Sequence, residues 1–137
     1  MLCNLISQAR AVLKRAHVTQ PHLATSFGML DLRTIHFGAS RGSGHTTTIE
    51  ALTNVYTSEI ICPSHRQKGN YEGRATNTKV SSWGEATRSI GRLENVEVVF
   101  IDNWIDLLKT EGNAFWKDYQ KLGKQYDKAF TVFALIH

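Results

Sequence analysis

The chain has 137 residues, 42% of them hydrophobic and 20% charged, which is enough for one globular core and points to a single domain. No apolar run approaches the length of a membrane-spanning helix, and Met1-Leu2-Cys3-Asn4-Leu5-Ile6 turns polar too soon for a secretory signal. The net charge of +4 suits an anionic partner, while Cys3 and Cys62 fit no metal-ligand spacing and read as thiols of a reducing, cytoplasmic compartment.

Residues 3–17 read as a helix, with Leu5, Ala9, Val12, Leu13 and Ala16 on one face. Gln20-Pro21 ends it, and residues 1–33 form a lead-in to a core over 34–137. Residues 34–38 read as the first strand, and 46–56 as a helix with Ile49, Leu52 and Val55 or Tyr56 inward. Glu59-Ile60-Ile61-Cys62 is a short buried strand ended by Pro63. Residues 65–82 carry Arg66, Lys68, Arg74 and Lys79 against a single acid, Glu72, and their glycines and asparagines predict a long loop. A helix is expected over 83–93, despite Gly84 and Gly91. Val96-Glu97-Val98-Val99-Phe100-Ile101 is the clearest strand, ending at Asp102-Asn103. Residues 114–129 form an amphipathic helix with Phe115, Tyr119, Leu122 and Tyr126 inward and a solvated lysine face, before a last buried strand over 131–136. Strands alternating with helices predict an α/β domain: three layers, with a mostly parallel central sheet flanked by helices.

The segment between the first strand and the following helix carries the most chemistry. It runs Gly38-Ala39-Ser40-Arg41-Gly42-Ser43-Gly44-His45-Thr46-Thr47. A phosphate-binding loop has a small residue, four residues of any kind, then Gly-Lys-Ser/Thr, between a strand and a helix. Ala39, Gly44 and Thr46 fit that pattern, and His45 replaces the lysine. Glycines let backbone N–H groups face an anion, and a helix N-terminus adds unpaired N–H groups and a favourable dipole. Thr46 offers a hydroxyl to Mg2+. An imidazole, with an unperturbed pKa of ~6.5, supplies the lysine's charge only when protonated. Arg41 is a second source of charge inside the loop. The alternative is a Gly/Ser-rich turn before an ordinary helix.

Asp102, at the end of an apolar strand, is placed to hold Mg2+ from the other side. Asn103 follows it, where an acid would serve as base for an attacking water. The alternative role for Asp102 is a turn or cap residue. Six histidines, at 17, 22, 36, 45, 65 and 137, show no ligand spacing, and His36 reads as a core histidine. Trp83, Trp104 and Trp116 are capable of stacking bases but sit beside apolar runs, so each is expected in the core.

In this order of motifs the chain resembles the P-loop NTPases, and more loosely their helicase and phage terminase large-subunit branch. The resemblance spans roughly 34–103, through the Gly-rich loop, Ile60-Ile61-Cys62-Pro63-Ser64-His65-Arg66-Gln67 and Val98-Val99-Phe100-Ile101-Asp102-Asn103. It implies a nucleotide site binding ATP or GTP with Mg2+ held by Thr46 and Asp102. It also implies a nucleic-acid partner near Ser64, His65 and Arg66, to which the basic residues Lys68 and Arg74 add charge. His45 and Asn103 depart from the family pattern and point to weak or absent hydrolysis. The family continues beyond the strand at 131–136, which makes the chain a reduced domain, a fragment, or one whose sheet edge is covered by a second copy in a homo-oligomer or larger assembly. His137 falls near the family's γ-phosphate sensor. A non-catalytic nucleic-acid or protein interaction module and a small kinase or phosphotransferase are the competing functions.

Overall fold

The computed structural model describes residues 2–19, 33–37, 49, 51–71, 78–88, 96–125 and 131–136. Helix α1 (Leu2–Thr19) precedes strand β1 (Thr34–Phe37). Ile49 and residues 51–53 are helical and lead to β2 (Ser58–Cys62), a 3-10 segment (His65–Asn70) and β3 (Lys79–Ser82). Then come α2 (Trp83–Arg88), β4 (Val98–Asp102), α3 (Trp104–Glu111), α4 (Ala114–Gln125) and β5 (Val132–Ile136).

The five strands form one sheet in the order β1-β5-β4-β2-β3, and all four pairings are parallel. Every strand therefore ends on the same edge. The α/β expectation holds, and the sheet is wholly parallel among the described residues. β2, β4 and β5 are buried along their whole length, as strands covered on both faces should be.

The connections dictate where the helices lie. β1 to β2 and β2 to β3 step across the sheet in one direction, and β3 to β4 and β4 to β5 step back. Parallel crossovers share one hand, so the two pairs of connections must cover opposite faces. The buried residues agree. One core joins Ile60, Cys62, Val98, Phe100, Ala134 and Ile136 to Ile6 of α1, to Ile49, Leu52 and Tyr56, and to Tyr71. The other joins Ile61, Val99, Ile101, Phe133 and Leu135 to Trp83 and Ala86 of α2, Leu107 of α3, and Phe115, Tyr119 and Leu122 of α4. Alternate residues of each strand thus feed the two cores, the period-two pattern of a sheet between two layers. Among the described residues, no helix is long and apolar enough to cross a membrane.

Several expectations are corrected. The inward face of α1 is Ile6, Ala9 and Leu13, while Leu5 and Val12 are exposed. That face is fixed by Arg10, which pairs with Glu97 at 2.6 Å and lies 5.8 Å from the centre of the Tyr56 ring. The expected loop over 65–82 contains the 3-10 segment at its start and a strand at its end. β3, Lys79-Val80-Ser81-Ser82, is too polar to read as a strand, yet it pairs with β2 on the sheet's outer side. Helix α3 was not expected at all. His36 is exposed rather than a core histidine, because β1 is an outer strand and its side chain meets the Trp104 ring edge-on at 5.1 Å. Trp83 is buried as expected, Trp104 is only partly buried, and Trp116 is 43% exposed. Of the pair Val55 and Tyr56, the tyrosine is the one facing inward.

Candidate functional site

One row of residues crosses the carboxyl edge of the sheet. Phe37 pairs with Ile136, Ile136 with Asp102, and Cys62 with Ser82. The pairing of Ile61 with Ile101 sets Cys62 beside Asp102 and completes the row. In open parallel sheets ligands bind outside the carboxyl ends, where neighbouring connections diverge. That divergence falls between β4 and β2. The chain leaves β4 toward β5 and leaves β2 toward β3. Asp102 and Asn103 stand on one side of this point, and Pro63, Ser64 and His65 on the other.

Asp102 is 3% exposed and follows Phe100 by two residues, so it faces the layer that holds Ile49 and Leu52. The Tyr71 hydroxyl donates a hydrogen bond to its Oδ2 at 2.9 Å, and Tyr71 is fully buried. Sequence reasoning missed Tyr71, since a lone tyrosine in a polar segment carries no motif. Cys62 is buried in the same layer. Burial first, and then the charge of Asp102, push its thiol up to about 12, with Lys68 acting in the opposite direction. A thiol held protonated is a poor nucleophile and a poor metal ligand, so Cys62 serves as a small apolar filler.

Asn103 has φ 51° and ψ 44°, and it is the sole non-glycine residue with positive φ among the described residues. Its carbonyl accepts from the backbone N–H of Asp106 and Leu107, which starts α3 directly above the strand end. Asn tolerates this left-handed geometry better than residues without a short polar side chain. The chain turn, as well as any chemistry, therefore favours Asn at this position.

Gly38, Ala39, Ser40, Arg41, Gly42, Ser43, Gly44, His45, Thr46 and Thr47, the expected phosphate cradle, lie outside the described residues. Their two anchors are described. Phe37 ends β1 on the carboxyl edge, and Ile49 is buried in the layer that Asp102 faces. Phe37 and Asp102 are two strands apart, roughly 10 Å at ordinary strand spacing. Arg74 and His137 also lie outside the described residues.

Across the divergence, the ends of β2 and β3 carry a charged cluster. Ser82, Trp83, Gly84 and Glu85 form a capping box: the Glu85 N–H donates to Ser82 Oγ at 3.2 Å, and the Ser82 N–H donates to Glu85 Oε1 at 3.3 Å. The Ser-x-x-Glu spacing is the signal that could have marked this cap, and the sequence reading did not use it. Lys68 Nζ donates to the same Glu85 oxygen at 3.0 Å, and His65 Nδ1 is 3.5 Å from it. The Lys68 hydrogen bond, followed by those from Ser82, lowers the Glu85 carboxyl to about 2. Lys68, expected to face a phosphate, is thus held by Glu85. Ser64, His65 and Arg66 are exposed. A cleft of about 510 Å³ is lined by His65, Ser82, Gly84, Glu85 and Arg88. The Arg88 guanidinium folds back across Gly84, where a Cβ would lie 3.1 Å from Nη2. Arg88 is a cation at this cleft that the sequence did not single out.

Compared with known proteins, the chain matches no family model, no curated protein and no solved structure.

Proposed function

We propose that the protein binds a nucleotide at the carboxyl edge of its sheet, as a degenerate P-loop protein of the DNA-translocase type with weak or absent hydrolysis. The observation that carries this reading is the placement of Asp102. It is a buried carboxylate at the end of a central strand, two strands from the end of β1, on the face to which the chain returns after the Gly-rich segment. A carboxylate oxygen at a strand end suits Mg2+, which is held through one or two carboxylates together with substrate phosphates. In this reading Gly38 to Thr47 cradle the phosphates, and Thr46 and Asp102 hold the ion, which would neutralise charge on a triphosphate. His45 and Asn103 leave the site without the lysine and without a carboxylate base.

The test is binding of a fluorescent ADP analogue with Mg2+ and with EDTA. Thr46→Ala and Asp102→Asn should each remove the Mg2+-dependent part of the affinity while the protein stays folded. Affinity indifferent to both substitutions would contradict the reading.

A second reading, a nucleic-acid interaction module, is favoured by one observation: His65, Arg66 and Arg88 are all exposed around or beside the cleft. Phosphate contacts make binding salt-dependent. Single-stranded oligonucleotide binding without nucleotide should weaken with salt, and Arg66→Ala with Arg88→Ala should flatten that dependence. Unchanged binding in the double variant would exclude the cleft.

A further inference from the structure

We propose that Tyr71 is a positioning residue for Asp102, fixing the carboxylate for the divalent cation of the nucleotide site; this rests on the nucleotide reading above. Tyr71 is fully buried and Asp102 nearly so, and their 2.9 Å hydrogen bond joins residues 31 apart in sequence. The hydroxyl is a neutral donor, so it orients the carboxylate without cancelling its charge.

The tyrosine is itself held. It closes the 3-10 segment, its N–H donating to the Lys68 carbonyl at 3.0 Å, and its ring is set in the core with Cys62 and Phe100. Lys68 is tied in turn to Glu85 at the head of α2. The carboxylate is thus braced by the segment that carries His65 and Arg66, a support supplied by a different strand end. Rigid outer groups of this kind hold an ion-binding carboxylate in one orientation and strengthen binding.

The experiment is calorimetric titration of ADP into native protein, Tyr71→Phe, Asp102→Asn and the double variant, each with Mg2+ and with EDTA, with thermal melts to confirm folding. Tyr71→Phe should leave the metal-free affinity unchanged and cut the Mg2+-dependent gain roughly tenfold, the scale of an outer-shell loss. Asp102→Asn should abolish that gain, and adding Tyr71→Phe to it should change nothing further, since the tyrosine acts through the aspartate. Equal losses with and without Mg2+ would show a merely structural tyrosine and overturn the assignment, as would an unchanged Mg2+ gain. If Tyr71→Phe does not fold, an undiminished Mg2+ gain in Asp102→Asn overturns it instead. Native protein that binds no ADP in either condition would overturn the nucleotide reading together with this assignment, whereas the preceding outcomes overturn this assignment while metal-free binding survives.

Discussion

Glu85 is a carboxylate whose three neighbours all act on one oxygen. Lys68 Nζ, the Ser82 N–H and His65 Nδ1 lie at 3.0, 3.3 and 3.5 Å from Oε1. Its ordinary 4.5 falls to about 2, so the unfolded chain takes up the proton before the folded one. The resulting stability is present above pH 4.5 and is lost as pH falls from there toward 2. The side chain is half exposed, so solvent screens the Lys68 pair and the contribution to stability is modest. Thermal melts of native protein and Glu85→Gln should differ most near neutrality and converge by pH 2. A gap independent of pH would count against the pairing. Ser82→Ala removes the reciprocal acceptor and should cost about 1 kcal/mol in denaturant unfolding. At Asn103, the left-handed backbone predicts that Asn103→Gly is near neutral, while Asn103→Ala costs about 1 kcal/mol. Equal stability of the two variants would mean that the turn does not select the residue. The Ser82-x-x-Glu85 spacing carries the signal of a capping box that went unused, whereas the Tyr71–Asp102 bond carries none, because it depends on the 3-10 segment meeting the end of β4.

At the scale of elements, legibility followed hydrophobic period and segment length. β4 and β5 are mostly β-branched, aromatic and aliphatic residues, β2 centres on Ile60-Ile61 before Pro63, and all three were readable. β3 was hidden because half its residues are serine and it owes its strand form to pairing with β2. α3 was hidden by its eight-residue length between stronger signals. Its marks were nonetheless present: Trp104, Leu107 and Leu108 share one side, and Gly112, whose positive φ of 59° suits glycine, ends it with its N–H on the Leu108 carbonyl at 2.9 Å. In α4 the period assigned Phe115, Tyr119 and Leu122 correctly to the core, while composition misplaced Trp116. Neighbouring aromatics on one helix thus make opposite contributions. Phe115→Ala should cost about 3–5 kcal/mol, because it empties a fully buried site stacked at 5.1 Å on Trp83. Trp116→Ala should cost much less, since 43% of it is already in water. Denaturant midpoints of the two variants check this, and similar losses would contradict the burial assignment.

At the scale of the whole molecule, composition and alternation were enough for an α/β sandwich, but the strand order was not legible. Strand order depends on which connections cross over which strands, and no local pattern encodes it. The order decides the functional argument. It sets the divergence of connections between β4 and β2, with Asp102 on one side and Ser64 and His65 on the other, and gathers five strand ends into one row. Asp102, Ser64 and His65 thereby share one edge, to which the fold adds Tyr71 and Arg88. Phe37, the residue before the Gly-rich segment, ends on the same edge.

The central claim, a nucleotide cradle on that edge, is tested most directly by calorimetric titration of ATP, ADP and GTP, with and without Mg2+, into native protein and His45→Lys. The account predicts saturable binding to the native protein and tighter binding, chiefly of the triphosphates, once the lysine is restored. Absence of binding to both proteins would contradict it.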